Sequence, residues 1–268
     1  KSTRTDRTAG IGAGYRPGRM PMVNLEQLGR AMAAALRAKT LSVPGGEVTQ
    51  IDGLEVYLSH LPDPGENFAF VATEPEDPGA ALADAEAVLR WNGMPFGIGV
   101  LAGRHPSVDA AVRAREHHVL FEEPVMTTRV ADLADVALAP DVHLAEAGPE
   151  DLSAAAALDA VAFDGNVDVS RGMYSRGLLD VAHVITARLD GTIVGVATGV
   201  PAGGSVGIFG VAVAPEVRRR GIGAALTRAA ARAGDGSGTA WLSARGEAAR
   251  VYERLGFREV GRTEIWVG

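Results

Sequence analysis

The sequence predicts an α/β (α+β) protein of two domains, each alternating helices with strands. Three observations carry this expectation. The 268 residues suit two domains of roughly 100 to 150 residues better than one. Apolar residues make up 47% and charged residues 22%, which is enough to build a buried core. Segments with a helical period alternate with short runs of strand character, and the rhythm recurs in the second half without aligned identity between the halves.

Composition then narrows the function. The 26 basic residues against 33 acidic ones give a formal charge of −7, which argues against nucleic acid as a partner unless the basic residues cluster. The chain has no cysteine, so disulfides, thiolate zinc sites and a cysteine nucleophile are excluded, in keeping with a cytoplasmic location. The uncharged run from Gly191 to Pro215 is broken by Pro201, Gly203 and Gly204, so it reads as two strands and a turn and no membrane association is expected. Residues 1–21 carry Lys1, Arg4, Arg7, Arg16 and Arg19 among Gly, Ser and Thr without an apolar stretch. They are expected to be a mobile arm, not a secretory signal, and the start without Met points to an incomplete or processed terminus.

The first domain is expected over 22–138. Leu25, Leu28, Met32, Ala35 and Leu36 mark a helix, residues 47 to 61 one or two strands, and Phe68 to Ala72 a buried strand. Pro78 to Trp91 reads as a helix and Pro95 to Leu101 as a strand. Ser107 is placed to cap a helix reaching about His118, and Val119 to Thr128 reads as a strand interrupted by Pro124. The adjacent pair His117 and His118 diverges by about 100° on a helix and cannot chelate a metal from one face, so no metal site is expected. Trp91, Trp241 and Trp266 read as core or sheet residues.

The second domain is expected over 141–268. Val142 to Ala145 is a short strand, and Pro149-Glu150-Asp151 opens a helix to about Phe163. Residues 164 to 181 are less regular. His183 to Leu189 and Thr192 to Val200 form a hairpin around Asp190-Gly191. A strand over 206–213 then meets Glu216-Val217-Arg218-Arg219-Arg220-Gly221-Ile222-Gly223 and a helix with Ile222, Ala225, Leu226, Ala229 and Ala233 on one face, ended by Gly234 to Gly238. Thr239 to Ser243 is a strand, Glu247 to Leu255 a helix closed by Gly256, and Arg258 to Val267 a last strand.

Strand, glycine turn and helix at 206 to 233 form the centre of the functional reading. The first N–H groups of a helix have no intrahelical partner and sit at the positive end of its dipole, so this turn is an anion site. Three consecutive arginines suit it to a group as anionic as a pyrophosphate. Arg228 and Arg232, further along the helix, are expected to be solvated.

Arg218, Gly221 and Gly223 resemble, residue by residue, the acetyl-CoA signature of the GNAT superfamily of N-acetyltransferases: Arg or Gln, two residues, Gly, one residue, Gly or Ala. The segment Ala248-Ala249-Arg250-Val251-Tyr252-Glu253-Arg254-Leu255-Gly256-Phe257 resembles the family's second CoA-facing helix and its Leu-Gly-Phe ending. The resemblance covers about 141 to 268. Arg245 departs from it, where many members have Asn, which puts a pantetheine contact there in doubt. The first half more faintly resembles a degenerate copy, as in tandem GNAT-like proteins with one working domain, and the resemblance implies two mixed-sheet domains flanked by helices, the C-terminal one complete. From Pro62 to Leu89 it holds seven acids and no Lys, Arg or His, so it would repel a pyrophosphate and only the second half is expected to bind CoA.

The resemblance implies acetyl-CoA as acyl donor and acetyl transfer to a primary amine of a small molecule or peptide, by a monomer or homodimer, with the acceptor in a cleft between the halves. Cofactor contacts are expected from Val211, Ala212, Val213, Arg218, Arg219, Arg220, Gly221, Ile222, Gly223 and Ala224. A backbone N–H near Val211 to Val213 would hold the thioester carbonyl, and Tyr252 resembles the family's general acid. Members often carry a basic glutamate on the central strand, but 206 to 213 holds no ionisable residue. Asp164, Asp168 and His183 are candidate bases by position only, and each reads first as a cap, a loop carboxylate or a satisfied histidine. The missing glutamate also leaves open a non-catalytic acyl-CoA-binding or regulatory module.

Overall fold

A computed structural model describes residues 24–233 and 238–268. The arm expected at 1–21 and most of the expected helix stop at 234–238 lie outside the described residues. In chain order the first half holds α1 (Leu25–Ser42), β1 (Glu47–Ile51), β2 (Leu54–Leu58), β3 (Asn67–Val71), α2 (Pro78–Asn92), β4 (Gly97–Leu101), α3 (Pro106–Arg113) and β5 (His118–Arg129). The second half holds β6 (Val142–Glu146), α4 (Leu152–Phe163), α5 (Val167–Met173), α6 (Leu178–Val181), β7 (His183–Leu189), β8 (Thr192–Ala202), β9 (Ser205–Val213), α7 (Ile222–Ala230), β10 (Thr239–Ser243), α8 (Glu247–Leu255) and β11 (Arg258–Val267).

Local chemistry explains most element ends. Asn24 caps α1 by accepting from the N–H groups of Glu26 and Gln27, and Asp77 caps α2 through Ala80 with Pro78 behind it. Gly93 and Gly256 end α2 and α8 at φ 71° and 104°, a left-handed conformation that costs a glycine little.

The strands form one 11-stranded sheet in the order β1-β2-β3-β4-β11-β5-β10-β9-β8-β7-β6. The last strand of each half is embedded beside strands of the other. Strand β5 pairs antiparallel with β10 from Thr239↔Arg129 to Ser243↔Val125, while β11 pairs antiparallel with both β4 and β5. The two halves therefore share one sheet, and separating them would expose Val125, Met126, Thr127 and Thr128, all at most 2% accessible. Helices α1, α4 and α5 pack Met32, Ala155 and Tyr174 with Val196 and Trp241. Helices α7 and α8 pack Leu226, Tyr252 and Leu255 against Ala197 and Leu242. A third cluster joins α2 and α3 to β2, β3 and β4. Among the described residues no helix is long and apolar enough to cross a membrane.

Three local expectations are corrected. Helix α3 starts after His105, which makes no side-chain cap bond, and stops at Arg113; Ser107 does not cap it and donates its hydroxyl to Glu74. Strand β5 runs through Pro124 without interruption. The carbonyl of Pro124 accepts from Ala244, just past the end of β10, so the missing N–H falls where that ladder stops. Trp91 is 86% exposed near the end of α2, whereas Trp241 and Trp266 are buried.

Candidate functional site

The site begins where two neighbouring strands part. Strands β9 and β10 run parallel and pair only at Ser205↔Thr239, Val206↔Ala240 and Gly207↔Trp241. A Cβ on Gly207 would lie 2.7 Å from the Trp241 ring, so this glycine lets the indole pack flat against the backbone. The Phe209 ring meets Trp241 edge-on at 5.4 Å, and the two aromatics form a wedge where the pairing ends.

On its other side β9 bulges. Opposite Val196 and Thr198 of β8 stand Ala212 and Phe209, so β9 carries one residue more than its partner over this step. Gly210 adopts φ 57° within it, as bulge residues do. The bulge turns Val211 and Val213 to the cleft while Ala212, 1% accessible, packs into the layer of α1 and α4.

Beyond β9 the turn takes left-handed conformations at Arg219 (φ 68°) and Gly221 (φ 79°). The first intrahelical bond of α7 runs from Ala225 N–H to Gly221 O, so the N–H groups of Ile222, Gly223 and Ala224 precede the helical ladder. They open on a cleft of about 740 Å³, within the usual range for ligand sites. Arg218 and Arg219 lie on its rim, and the Arg218 side chain is held by an Nε bond to Val213 O at 3.1 Å.

Of the residues expected to contact a cofactor, Val211, Val213, Arg218, Arg219, Gly221, Ile222, Gly223 and Ala224 line the cleft, together with Tyr252. Ala212 and Arg220 do not. Arg220 turns to Asp141, with Nη2 2.6 Å from Oδ1. Arg228, expected to be solvated, instead pairs with Asp135, while Arg232 is exposed.

Other cleft residues escaped the sequence reading. Asp135, Val136 and Ala137, in the connection between the halves, form one wall. Arg250 and Arg254, quoted above within the segment that resembles a CoA-facing helix but given no contact there, add positive charge from one face of α8, as their four-residue spacing allows. Ala162 and Phe163 close the end of α4 over the cleft.

The fit to a pyrophosphate-bearing acyl donor can be judged on these residues. Free helix N–H groups, four arginines on the rim and a Gly223 position whose nearest neighbour to an added Cβ is the Val213 side chain at 3.6 Å leave room for an anion to approach the backbone. Tyr252 is buried, and burial pushes its hydroxyl up to about 12, partly offset by a hydrogen bond with Thr227. It therefore keeps its proton at neutral pH.

The candidate bases lie elsewhere. Asp164 ends α4 on the surface at φ 52°, Asp168 pairs with Arg171 at 3.0 Å in solvent, and His183 pairs with Glu146 at 2.7 Å. Arg245 is drawn to Glu123 and stacks over Phe121, away from the cleft. The carboxylate beside the bulge is Asp159 of α4, which accepts from Ser170 Oγ at 2.8 Å.

The first half is filled at the corresponding place. After β3, the place of the turn is taken by Arg104, whose side chain is 1% accessible. It donates to the carbonyls of Val71 and Ala72 at 2.5 and 2.6 Å and pairs with Glu26.

A family model described as an acetyltransferase (GNAT) domain matches residues 180–259, from the end of α6 into β11. The mycothiol acetyltransferase of Nocardia farcinica is 39% identical over 129 residues, which is 47% of this chain and only 40% of that protein's length. A GCN5-related N-acetyltransferase from Kribbella flavida superposes with a TM-score of 0.71 at 21% identity, covering 89% of this chain and 94% of its own. A tandem GNAT protein from the clavulanic acid biosynthesis pathway gives 0.60 at 16% identity, covering 93% of this chain and 96% of its own. At such identities the structural likeness speaks for the fold, a GNAT fold in tandem.

Proposed function

We propose that this chain, whose residues 180–259 match the acetyltransferase (GNAT) domain model, transfers an acetyl group from acetyl-CoA to a primary amine. The single observation behind this reading is the parting of β9 from β10 at Gly207, with the Gly210 bulge and the start of α7 on its rim. In this reading the N–H groups of Ile222, Gly223 and Ala224, with Arg218 and Arg219, hold the pyrophosphate. The bulged backbone at Val211 to Val213 pairs with the pantetheine arm and the thioester carbonyl. Tyr252 protonates the departing thiolate, whose own pKa is about 8.5.

The domain division at 22–138 and 141–268, a cytoplasmic location and a small-molecule or peptide acceptor belong to the same proposal. The buried Arg104 in the first half supports a single CoA site in the second.

Incubation with acetyl-CoA and a panel of primary amines, read by free thiol release and by the mass of the product, tests the reading. Amine-dependent thiol release with an acetylated product is expected. If CoA raises the melting temperature and no amine is modified, the protein is an acyl-CoA-binding module instead.

A further inference from the structure

A typical alkyl ammonium has a pKa of about 10.4, so its nucleophilic lone pair must be uncovered at neutral pH. Strand β9 holds no ionisable side chain, and the three bases expected from sequence lie on the surface. The proton needs another destination, and it must lie within reach of the bulge.

We propose that Asp159 is the general base for the acceptor amine. The proposal rests on the N-acetyltransferase reading above. A Cβ built on Gly210 would lie 3.2 Å from Asp159 Oδ1 and 2.9 Å from the Tyr174 hydroxyl. This carboxylate therefore faces the bulge backbone next to Val211, whose strand lines the CoA cleft on its other side. Its orientation is set. Oδ2 accepts from Ser170 at 2.8 Å, while Oδ1, the oxygen towards Gly210, has the longer contact of 3.4 Å with Tyr174.

The surroundings are charged. From α1, Lys39 Nζ lies 3.1 Å from Glu66 Oε1 of the β2–β3 loop and 5.3 Å from the centre of the Phe209 ring. Its charge reaches Asp159, and that of Asp159 reaches Glu66. One lysine thus stands among two carboxylates, one of which, Glu66, burial holds above the usual range. The charged and titratable groups around Asp159 are Lys39 of α1, Glu66 and the more distant Asp63 of the loop, and Tyr174 of α5. Burial raises the Asp159 carboxyl above the usual range, and Ser170, Lys39 and Tyr174 limit the rise. A raised pKa makes its carboxylate a better base.

The step balances. Asp159 takes one proton from the bound ammonium and passes it to solvent, and the uncovered lone pair attacks the thioester carbonyl carbon to form the C–N bond. The C–S bond breaks with its electron pair on sulfur, which takes the Tyr252 proton. The second proton of the nitrogen leaves through Asp159 to solvent and Tyr252 is reprotonated from solvent, so ammonium and thioester become amide, thiol and one released proton.

The test compares wild type with Asp159→Asn and Asp159→Glu, using propylamine (ammonium pKa about 10.4) and glycinamide (α-amino pKa about 8). For Asp159→Asn, kcat with propylamine is expected to fall about 10²- to 10³-fold, and less with glycinamide. Asp159→Glu should recover part of the loss, and CoA-induced thermal stabilisation should be unchanged. Ser170→Ala, which removes a bond that favours the carboxylate, should move the acidic limb of the kcat profile to higher pH even if Asp159→Asn folds poorly. Wild-type rates for Asp159→Asn with both amines, or an acidic limb unmoved in Ser170→Ala, overturn the assignment of Asp159 alone. A wild-type protein that binds CoA but acetylates neither these nor any other amine overturns the acetyltransferase reading and this proposal with it.

Discussion

Arg220 places Nη2 2.6 Å from Oδ1 and 2.7 Å from Oδ2 of Asp141, and so leaves the cleft to Arg218 and Arg219. Three adjacent arginines are thereby divided between the cleft and the connection between the halves. Arg220→Ala should leave CoA affinity within about twofold, because the pair is surface-accessible and screened. Arg219→Ala should weaken it about tenfold through loss of a charge-assisted bond. Calorimetric titration with CoA measures both, and equal losses would place the wrong arginine on the phosphate.

Gly221 combines φ 79° with a wall, since an added Cβ would stand 2.5 Å from the Ala137 carbonyl oxygen. Gly221→Ala should cost about 1–2 kcal/mol from the left-handed conformation alone, and the shifted turn should lose most CoA-dependent stabilisation. Gly221→Glu should abolish it. Thermal melts with and without CoA report both effects, and a full ligand shift in the glutamate variant would remove this turn from the site.

Tyr252→Phe should lower kcat by about 10- to 100-fold while CoA affinity stays constant. The sign of the pH effect follows from a hydroxyl pushed up to about 12. A general acid is lost as pH rises through its pKa, so the rate should show no fall attributable to Tyr252 up to pH ~10. A descending limb near neutrality that vanishes in the phenylalanine variant would refute this.

Asp151 accepts from Arg188 Nη2 at 2.6 Å and from Gly148 N–H at 3.0 Å. Arg188 chiefly holds its carboxyl below the usual value. A depressed native pKa contributes stability that is present above the unfolded value of about 3.9 and disappears as pH falls through the native one. Asp151→Asn should therefore cost about 1 kcal/mol at pH 7, and its melting temperature should converge with that of wild type in acid. A constant gap between pH 7 and pH 3 would rule out the linkage.

What the sequence determined by itself was local. The αL positions at Gly221 and Gly256, the caps at Asn24 and Asp77, and the strand-turn-helix order around Arg218 all depend on residues within a few positions of each other. The second half of the fold and most of the cleft were legible for that reason. Local signals also misled where a distant partner intervened: Ser107 looked like a cap but bonds Glu74, and Arg228 looked solvated but meets Asp135.

Tertiary structure decided the rest. Nothing in β5 or β11 alone says that each will lie among strands of the other half, because a ladder is chosen by burial against neighbours far along the chain. The cluster of Lys39, Glu66 and Asp159 depends on that shared sheet, which docks α1 against β8 and β9. Asp159 sits one turn before Asp164 and reads from sequence as one more helical acid. Only the Gly210 bulge, brought beside it by packing of α4 on β9, separates the two.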